Sequence, residues 1–290
     1  MLIEPWLSDV RAHFAETAPL LLPLFDTYAA EASFGWGYIA SDLQHLQAGA
    51  WVIEVGAGSL LLSCQLVRAG FKVTALEPIG SGFSHFEQMR QIVQERAAAL
   101  GCLPDILPLA GEALRDSNRF DYAFSVNVME HVNEVPLVIT NVARSLVVGA
   151  SYRFTCPNYL FPYEPHFNIP TLLSKGMTEK FFYRKIFEST KMPDPSGTWR
   201  SLNWINTVQI SNAARRVRGL EVSFNRRLLI TTLERVVSDR DFASRRSPAM
   251  LKLLLILVRL RVHKLFRFVP ATLQPIIDCR LLKTSSMETS

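Results

Sequence analysis

The spacing of apolar and polar positions divides the chain into three stretches. Residues 1–48 repeat apolar groups at helical intervals, among them Leu20, Leu21, Leu24, Phe25 and Tyr28. They predict one or two leading helices, interrupted where Gly35 and Gly37 stand among Phe34, Trp36 and Tyr38. From residue 51 the period changes. WVIEV (51–55) is a short apolar run punctuated by Gly56 and Gly58, and Leu60, Leu61, Leu62 and Val67 then form a helical stripe. FKVTAL (71–76) alternates as a strand, 83–100 reads as a helix and 104–110 as a third strand. FDYAFSVNV (120–128) is a fourth strand, 135–147 a helix and ASYRFTC (150–156) a fifth strand. Apolar strands alternating with helices predict a parallel sheet covered on both faces. Right-handed crossovers limit it to a doubly wound α/β fold.

The third stretch begins at Pro157. Six prolines (157, 162, 165, 170, 193, 195) and many aromatics make 157–200 an irregular insertion after the fifth strand. Loops at the carboxyl ends of parallel strands line the ligand crevice, so its place matters. GLEVSFN (219–225) predicts a sixth strand and IIDCRLLK (276–283) a last one. Between them, 248–269 is a helix-length run bounded by Pro248 and Pro270. The expected organisation is a helical cap (1–48), a Rossmann-like cofactor-binding core (49–156), a substrate-side insertion (157–215) and the end of the sheet with a basic amphipathic helix (216–290).

Composition narrows the class. With 290 residues, 49% apolar and 20% charged, the chain is ordinary globular material, which excludes collagen, a linker protein and a wholly disordered chain. Cys64, Cys102, Cys156 and Cys279 form no C-x-x-C pair, which argues against a zinc ribbon or a secreted disulfide scaffold. Residues 1–30 begin MLIEPWLSDV, acidic rather than basic, so no signal peptide is read and a cytoplasmic location is expected. Charge is uneven: residues 1–210 carry 15 Lys and Arg against 20 Asp and Glu, whereas 211–290 carry 16 against 6. A basic quarter of this kind points to an anionic surface, lipid headgroups or nucleic acid, or else to a solvated face.

The chemistry concentrates in VIEVGAGSLL (52–61) followed by VTALEP (73–78). Gly56 and Gly58 let the backbone turn sharply against a ligand, and the helix behind them points its amides at it. Glu77 ends the next strand, where a carboxylate can accept both hydroxyls of a ribose. A dinucleotide fingerprint would place its third glycine at Leu61. Glu54, just before the glycines, would repel a pyrophosphate and attract the amine and sulfonium of S-adenosylmethionine. The sign of that charge favours a cationic cofactor.

With AGEAL (110–114), FDYAFSVNVMEHV (120–132) and VVGASYRFTCPN (147–158), these segments resemble the class I S-adenosylmethionine-dependent methyltransferases. The resemblance covers about residues 50–158. It implies a seven-stranded sheet whose last strand is antiparallel. It implies further that Glu54, Val55, Gly56, Ala57 and Gly58 line the methionine end, that Glu77 and Pro78 hold the ribose, and that Glu112 and Ala113 meet the adenine. Asn127 and Val128 would flank the cofactor. Leu60 stands where the family often has a third glycine, and Glu112 where it usually has Asp.

Methyl transfer from a sulfonium needs alignment and exclusion of water, and a hydroxyl acceptor benefits from a base. His131, with Glu130 beside it, and His166 in the insertion are the catalytic candidates. Glu130, His131, Glu164 and His166 could also ligate a metal. Some relatives in the resembled family carry one on E-x-x-E-H with a later histidine. Asn127 replaces the first of those acids, and no metal is expected. The insertion's Tyr159, Phe161, Tyr163 and Phe167 either wall an apolar acceptor or form a small core of their own.

Residues 248–269 have only six uninterrupted apolar positions (253–258), and Lys252, Arg259, Arg261, Lys264 and Arg267 break the rest. A bilayer span needs about 20. The segment suits a helix lying in the membrane interface, and Arg226, Arg227, Arg245 and Arg246 add charge. Burial as a crossover helix is the competing reading. No nucleic-acid-reading motif is present, so nucleic acid is not expected as a partner. The function expected is methyl transfer to a small-molecule or lipid-linked acceptor, on oxygen, with the protein peripheral on the inner face of the membrane. A nucleic-acid methyltransferase and a non-catalytic scaffold that keeps the fold are the alternatives.

Overall fold

The computed structural model describes residues 2–78, 84–190, 194–238 and 248–286. Four strands arise where the apolar runs stand: β1 (Trp51–Val55), β2 (Lys72–Leu76), β3 (Asp105–Leu107) and β4 (Phe120–Val126). β5 (Leu146–Pro157), β6 (Leu220–Phe224) and β7 (Ile276–Lys283) complete one sheet in the order β3-β2-β1-β4-β5-β7-β6. The β3-to-β5 pairings are parallel, and β7 runs antiparallel to both β5 and β6. The strand order reverses between β1 and β4, so their carboxyl ends open a crevice at a topological switch point. This is a seven-stranded sheet with an antiparallel last strand, the topology that the resemblance implied.

Burial follows the pleat. Val52 faces a core built by the first four helices, whereas Ile53 and Val55 face the other layer. On the first face lie α1 (Glu4–Thr17), α2 (Leu22–Leu43), α3 (Leu61–Arg68) and α4 (Ser84–Ala99), bringing Trp6, Phe14, Phe25, Ile39, Leu61 and Met89 together. On the second lie α5 (Val135–Ser145), the insertion's α6 (Lys175–Phe187) and α7 (Pro195–Ser201), and α8 (Thr207–Arg215), with Val138, Val142 and Ile210 in its core.

Two elements differ from the sequence pattern. α2 runs unbroken through Gly35 and Gly37, because a Cβ at Gly35 would lie 2.6 Å from Leu62 Cδ2 of α3 and 3.5 Å from Val126 Cγ2. Glycine here permits close packing, and that packing overrides a propensity cost of about 1 kcal/mol. The run 248–269 is not one helix. α10 (Pro248–Arg259) stops, Arg261 turns left-handed at φ 59°, and a 3-10 turn follows over Val262–Phe268. That turn buries His263, whose Nε2 lies 3.1 Å from Glu234 Oε1 on α9 (Leu228–Ser238). Arg245 and Arg246 lie outside the described residues.

α8 and α9 were not predicted. α8 carried a legible signal: Asn206 accepts from the amides of Val208 and Gln209, while Gln209 accepts from the Asn206 amide, a complete capping box. It packs on α5, in the sheet's second layer.

Candidate functional site

The glycine turn begins where β1 ends. Gly56 sits at φ 75°, and both its N–H and that of Ala57 donate to Leu76 O, at 2.8 and 3.1 Å. A Cβ at Gly56 would lie 2.5 Å from Val128 Cγ1, so the turn and the segment after β4 touch only because no side chain intervenes. Gly58, at φ 48°, donates its N–H to Glu77 Oε2 at 2.9 Å. Glu77 thus links the turn to the end of β2. Burial raises its pKa, while the Gly58 N–H and the Arg90 charge oppose this. Pro78 is half-buried beside it. Leu60 is left-handed (φ 66°), at the position where the resemblance places a third glycine, and its side chain is fully buried.

Glu54 lies below the turn rather than in it. It is 6% exposed and accepts from the Ser63 hydroxyl on α3. Burial, against the Ser63 bonds, pushes its pKa up to about 8. At neutral pH it is therefore mostly protonated, which removes the charge argument drawn from it. Val55 and Ala57 are buried supports. Glu112, in a 3-10 turn with Ala113, uses Oε1 to accept from the amides of Asn133 and Glu134 at 2.8 and 3.2 Å, which ties down the start of α5. Asn127 is exposed at φ 54°, with its N–H on Thr155 O at 2.9 Å.

The three catalytic candidates converge. Glu130, His131 and His166 each bring a ligating atom within 4.8 Å of the others. Glu130 is 0% exposed, and no other of the described residues donates to either carboxylate oxygen. Burial pushes its pKa up to about 7, with its own backbone amide and His166 pulling the other way. His131 is pushed down to about 4, first by burial and then by the His166 charge. In His166 burial is outweighed by Glu164, Glu130 and Glu31, and its pKa rises. The two rings meet edge-on at 5.5 Å.

Supports hold this cluster. Asn203 donates from Nδ2 to Met129 O and Val132 O, at 2.8 and 2.7 Å, and from its N–H to Glu130 O. Glu164 accepts from His166 Nδ1 at 2.6 Å and from the amides of His166 and Phe167. Sequence reasoning missed Asn203 and Ser201, whose partners are about 70 residues away in the chain. It also missed α2 as a roof. Tyr28 there meets Phe86 at 5.0 Å and feels Glu31 and Glu77, and Glu31 in turn acts on Glu130 and His166. One face of α2 therefore overlooks both the glycine turn and the cluster.

The insertion's aromatics divide. Tyr159 and Phe167 are buried in the core, stacking on Trp204 at 5.3 Å and meeting Trp199 edge-on at 5.7 Å, while Tyr163 is exposed. Among the described residues all four cysteines are free and buried. None of the described helices is long and apolar enough to cross a membrane.

No protein-family model matches the chain. Two Mycobacterium tuberculosis sequences, the uncharacterized proteins Rv1509 (strain H37Rv) and MT1557 (strain CDC 1551), are 47% identical over 281 residues, covering 97% of this chain and 95% of each. Among solved structures, geranyl diphosphate C-methyltransferase from Streptomyces coelicolor A3(2), with Mg2+, geranyl diphosphate and S-adenosylhomocysteine, is 11% identical at a TM-score of 0.48, covering 88% of this chain and 78% of that one. Haemonchus contortus phosphoethanolamine N-methyltransferase 2 with S-adenosylmethionine is 14% identical at 0.47, over 85% of this chain, which spans about half (51%) of its length. Similarity at this level carries nothing about substrate or activity.

Proposed function

The chain belongs to the family of the Mycobacterium tuberculosis protein Rv1509, and within that family we propose that it is an S-adenosylmethionine-dependent methyltransferase acting on a small-molecule or lipid-linked oxygen acceptor. One observation carries the reading: the Gly58 N–H is bonded to the Glu77 carboxylate at the mouth of the β1/β4 crevice. That bond fixes an acid where a ribose would present its hydroxyls, beside amides that would face the methionine end. The residues fit such a cofactor. Gly56 leaves a cradle that a side chain would fill, and no third glycine prepares the turn for a dinucleotide.

In this reading the acceptor oxygen forms a bond to the methyl carbon as the sulfur–methyl bond breaks, and S-adenosylhomocysteine leaves. The acceptor's proton departs at the Glu130–His131–His166 cluster, two residues beyond the Val128 that touches the glycine turn. The protein's share is alignment and exclusion of water, with α2 overhead. The acceptor enters beside the insertion.

We also propose that the acceptor is reached at an anionic membrane surface. α10 and the turn after it leave Leu253, Ile256, Leu260, Leu265 and Phe268 between 45% and 66% exposed, interleaved with Lys252, Arg259, Arg261, Lys264 and Arg267. That exposure favours an interfacial element over a buried crossover helix.

Calorimetry tests the cofactor reading. Wild type should bind S-adenosylmethionine with micromolar affinity, and Glu77→Ala should weaken binding at least 10-fold with its far-ultraviolet dichroism unchanged. Equal binding by the two, or none by wild type at millimolar ligand, would overturn it.

A further inference from the structure

The cluster at the mouth of the insertion is built beyond what a lone base requires. Glu130 is wholly buried, yet among the described residues no other one donates to its carboxylate. A bare carboxyl in a dry site calls for a proton or a cation. Both histidines have their tautomers set by their surroundings. Ser201 Oγ gives its proton to Thr198 O at 2.8 Å, so at 2.8 Å from His131 it accepts from Nδ1–H. Glu164, 0% exposed, accepts from Nδ1–H of His166 at 2.6 Å. Each ring is left with its lone pair on Nε2. A buried carboxylate behind an imidazole is the arrangement that fixes and strengthens a metal-ligating histidine.

We infer that Glu130, His131 Nε2 and His166 Nε2 bind one divalent transition-metal cation of the zinc type, with Glu164 and Ser201 orienting the two rings. Two imidazole nitrogens and one carboxylate suit Zn2+ or Co2+ better than Mg2+ or Ca2+, which prefer oxygen throughout. Metal–ligand bonds of about 2.0–2.1 Å would bring the donor atoms to about 3.3 Å apart; in this structure each of the three residues has a ligating atom within 4.8 Å of the others. Modest side-chain rotation closes that gap. Asn203 already clamps the backbone that carries two of the three ligands. Three protein ligands leave a coordination position open. The expectation of no metal, drawn from Asn127, does not account for the bare Glu130. Asn127 is exposed and stands outside this set.

What the cation would do rests on the methyltransferase reading: it would hold the acceptor oxygen and ease loss of its proton. The site itself does not depend on that reading. The test uses the full chain stripped with EDTA. Titrated with Co2+ and with Zn2+ in calorimetry, wild type should take up one cation per chain, and the Co2+ form should gain a visible absorption band of a low-symmetry N2O site. Glu130→Gln, His131→Asn and His166→Asn should each weaken binding by 10-fold or more. Glu164→Gln, which removes no ligand, should weaken it about 10-fold. Thermal unfolding of each metal-free variant checks that it folds.

Uptake well below one cation per chain by wild type, or equal binding by wild type and folded variants, overturns the inference. S-adenosylmethionine binding is measured in parallel on the metal-free protein. Metal binding without cofactor binding would remove the methyltransferase reading and leave the site. Cofactor binding without metal would do the reverse.

Discussion

Two buried acids set the behaviour of this site at the scale of single residues. Glu54 and Glu130 both have pKa values raised mainly by burial, to about 8 and about 7. For Glu54 the folded protein holds a proton that the unfolded chain releases above its ordinary value of 4.5. Stability of the cofactor-free protein therefore falls as pH rises from about 4.5 to about 8, by a few kcal/mol at most. Glu54→Gln removes that dependence. Its melting temperature should match wild type near pH 5 and exceed it increasingly toward pH 8, as followed by calorimetry. A constant difference across that range would mean Glu54 is charged when folded. The glycine turn and Glu77 were legible in the sequence because their chemistry is local: conformational freedom and a strand-end carboxylate. The protonation of Glu54 was not, because it depends on α3 covering it. The hold of Glu112 on the start of α5 was not legible either, since the amides it accepts from lie about 20 residues downstream.

At the scale of elements, the roof over the site depends on a buried ion network. Arg153 on β5 donates from Nε and Nη2 to both oxygens of Asp278 on β7, at 3.1 and 2.9 Å, and from Nη1 to Asp42 Oδ2 on α2 at 2.9 Å. The Tyr38 and Tyr122 hydroxyls, the Arg280 guanidinium and Asn225 Nδ2 also donate to these two carboxylates. The network joins α2 to β5 and β7. Its carboxylates leave water only because a cation meets them. Arg153→Leu should cost about 3–5 kcal/mol in urea unfolding, and adding Asp278→Asn should recover part of the loss. A cost under about 1 kcal/mol would show that Arg280 alone suffices. The strands were legible because buried parallel strands are continuous apolar runs. The length of α2 was not, since the close approach of Gly35 to α3 is a tertiary fact. The break at Arg261 likewise follows from His263 reaching back to α9.

Across the whole molecule, charge is divided along the chain, with the excess of Lys and Arg in residues 211–290. What the counts could not say was which way the basic, apolar segment faces, because periodicity does not separate a helix buried in the second layer from one lying on the surface. The fold decides it: Leu260 and Phe268 are 66% and 65% exposed, next to Arg259, Arg261 and Arg267. Each cation near an anionic leaflet contributes about 1 kcal/mol, and that part is screened by salt, whereas inserted leucine and phenylalanine are not. The two contributions can be separated. The full chain should sediment with phosphatidylserine-containing vesicles, not with pure phosphatidylcholine, and added salt should weaken the binding without abolishing it. Leu260→Asp with Phe268→Asp, at positions that already face water, should leave folding intact and remove the salt-resistant part. Binding that vanishes entirely with salt and ignores the double substitution would reduce this surface to a diffuse cationic face. The acceptor would then have to be a soluble molecule, reaching the crevice from water.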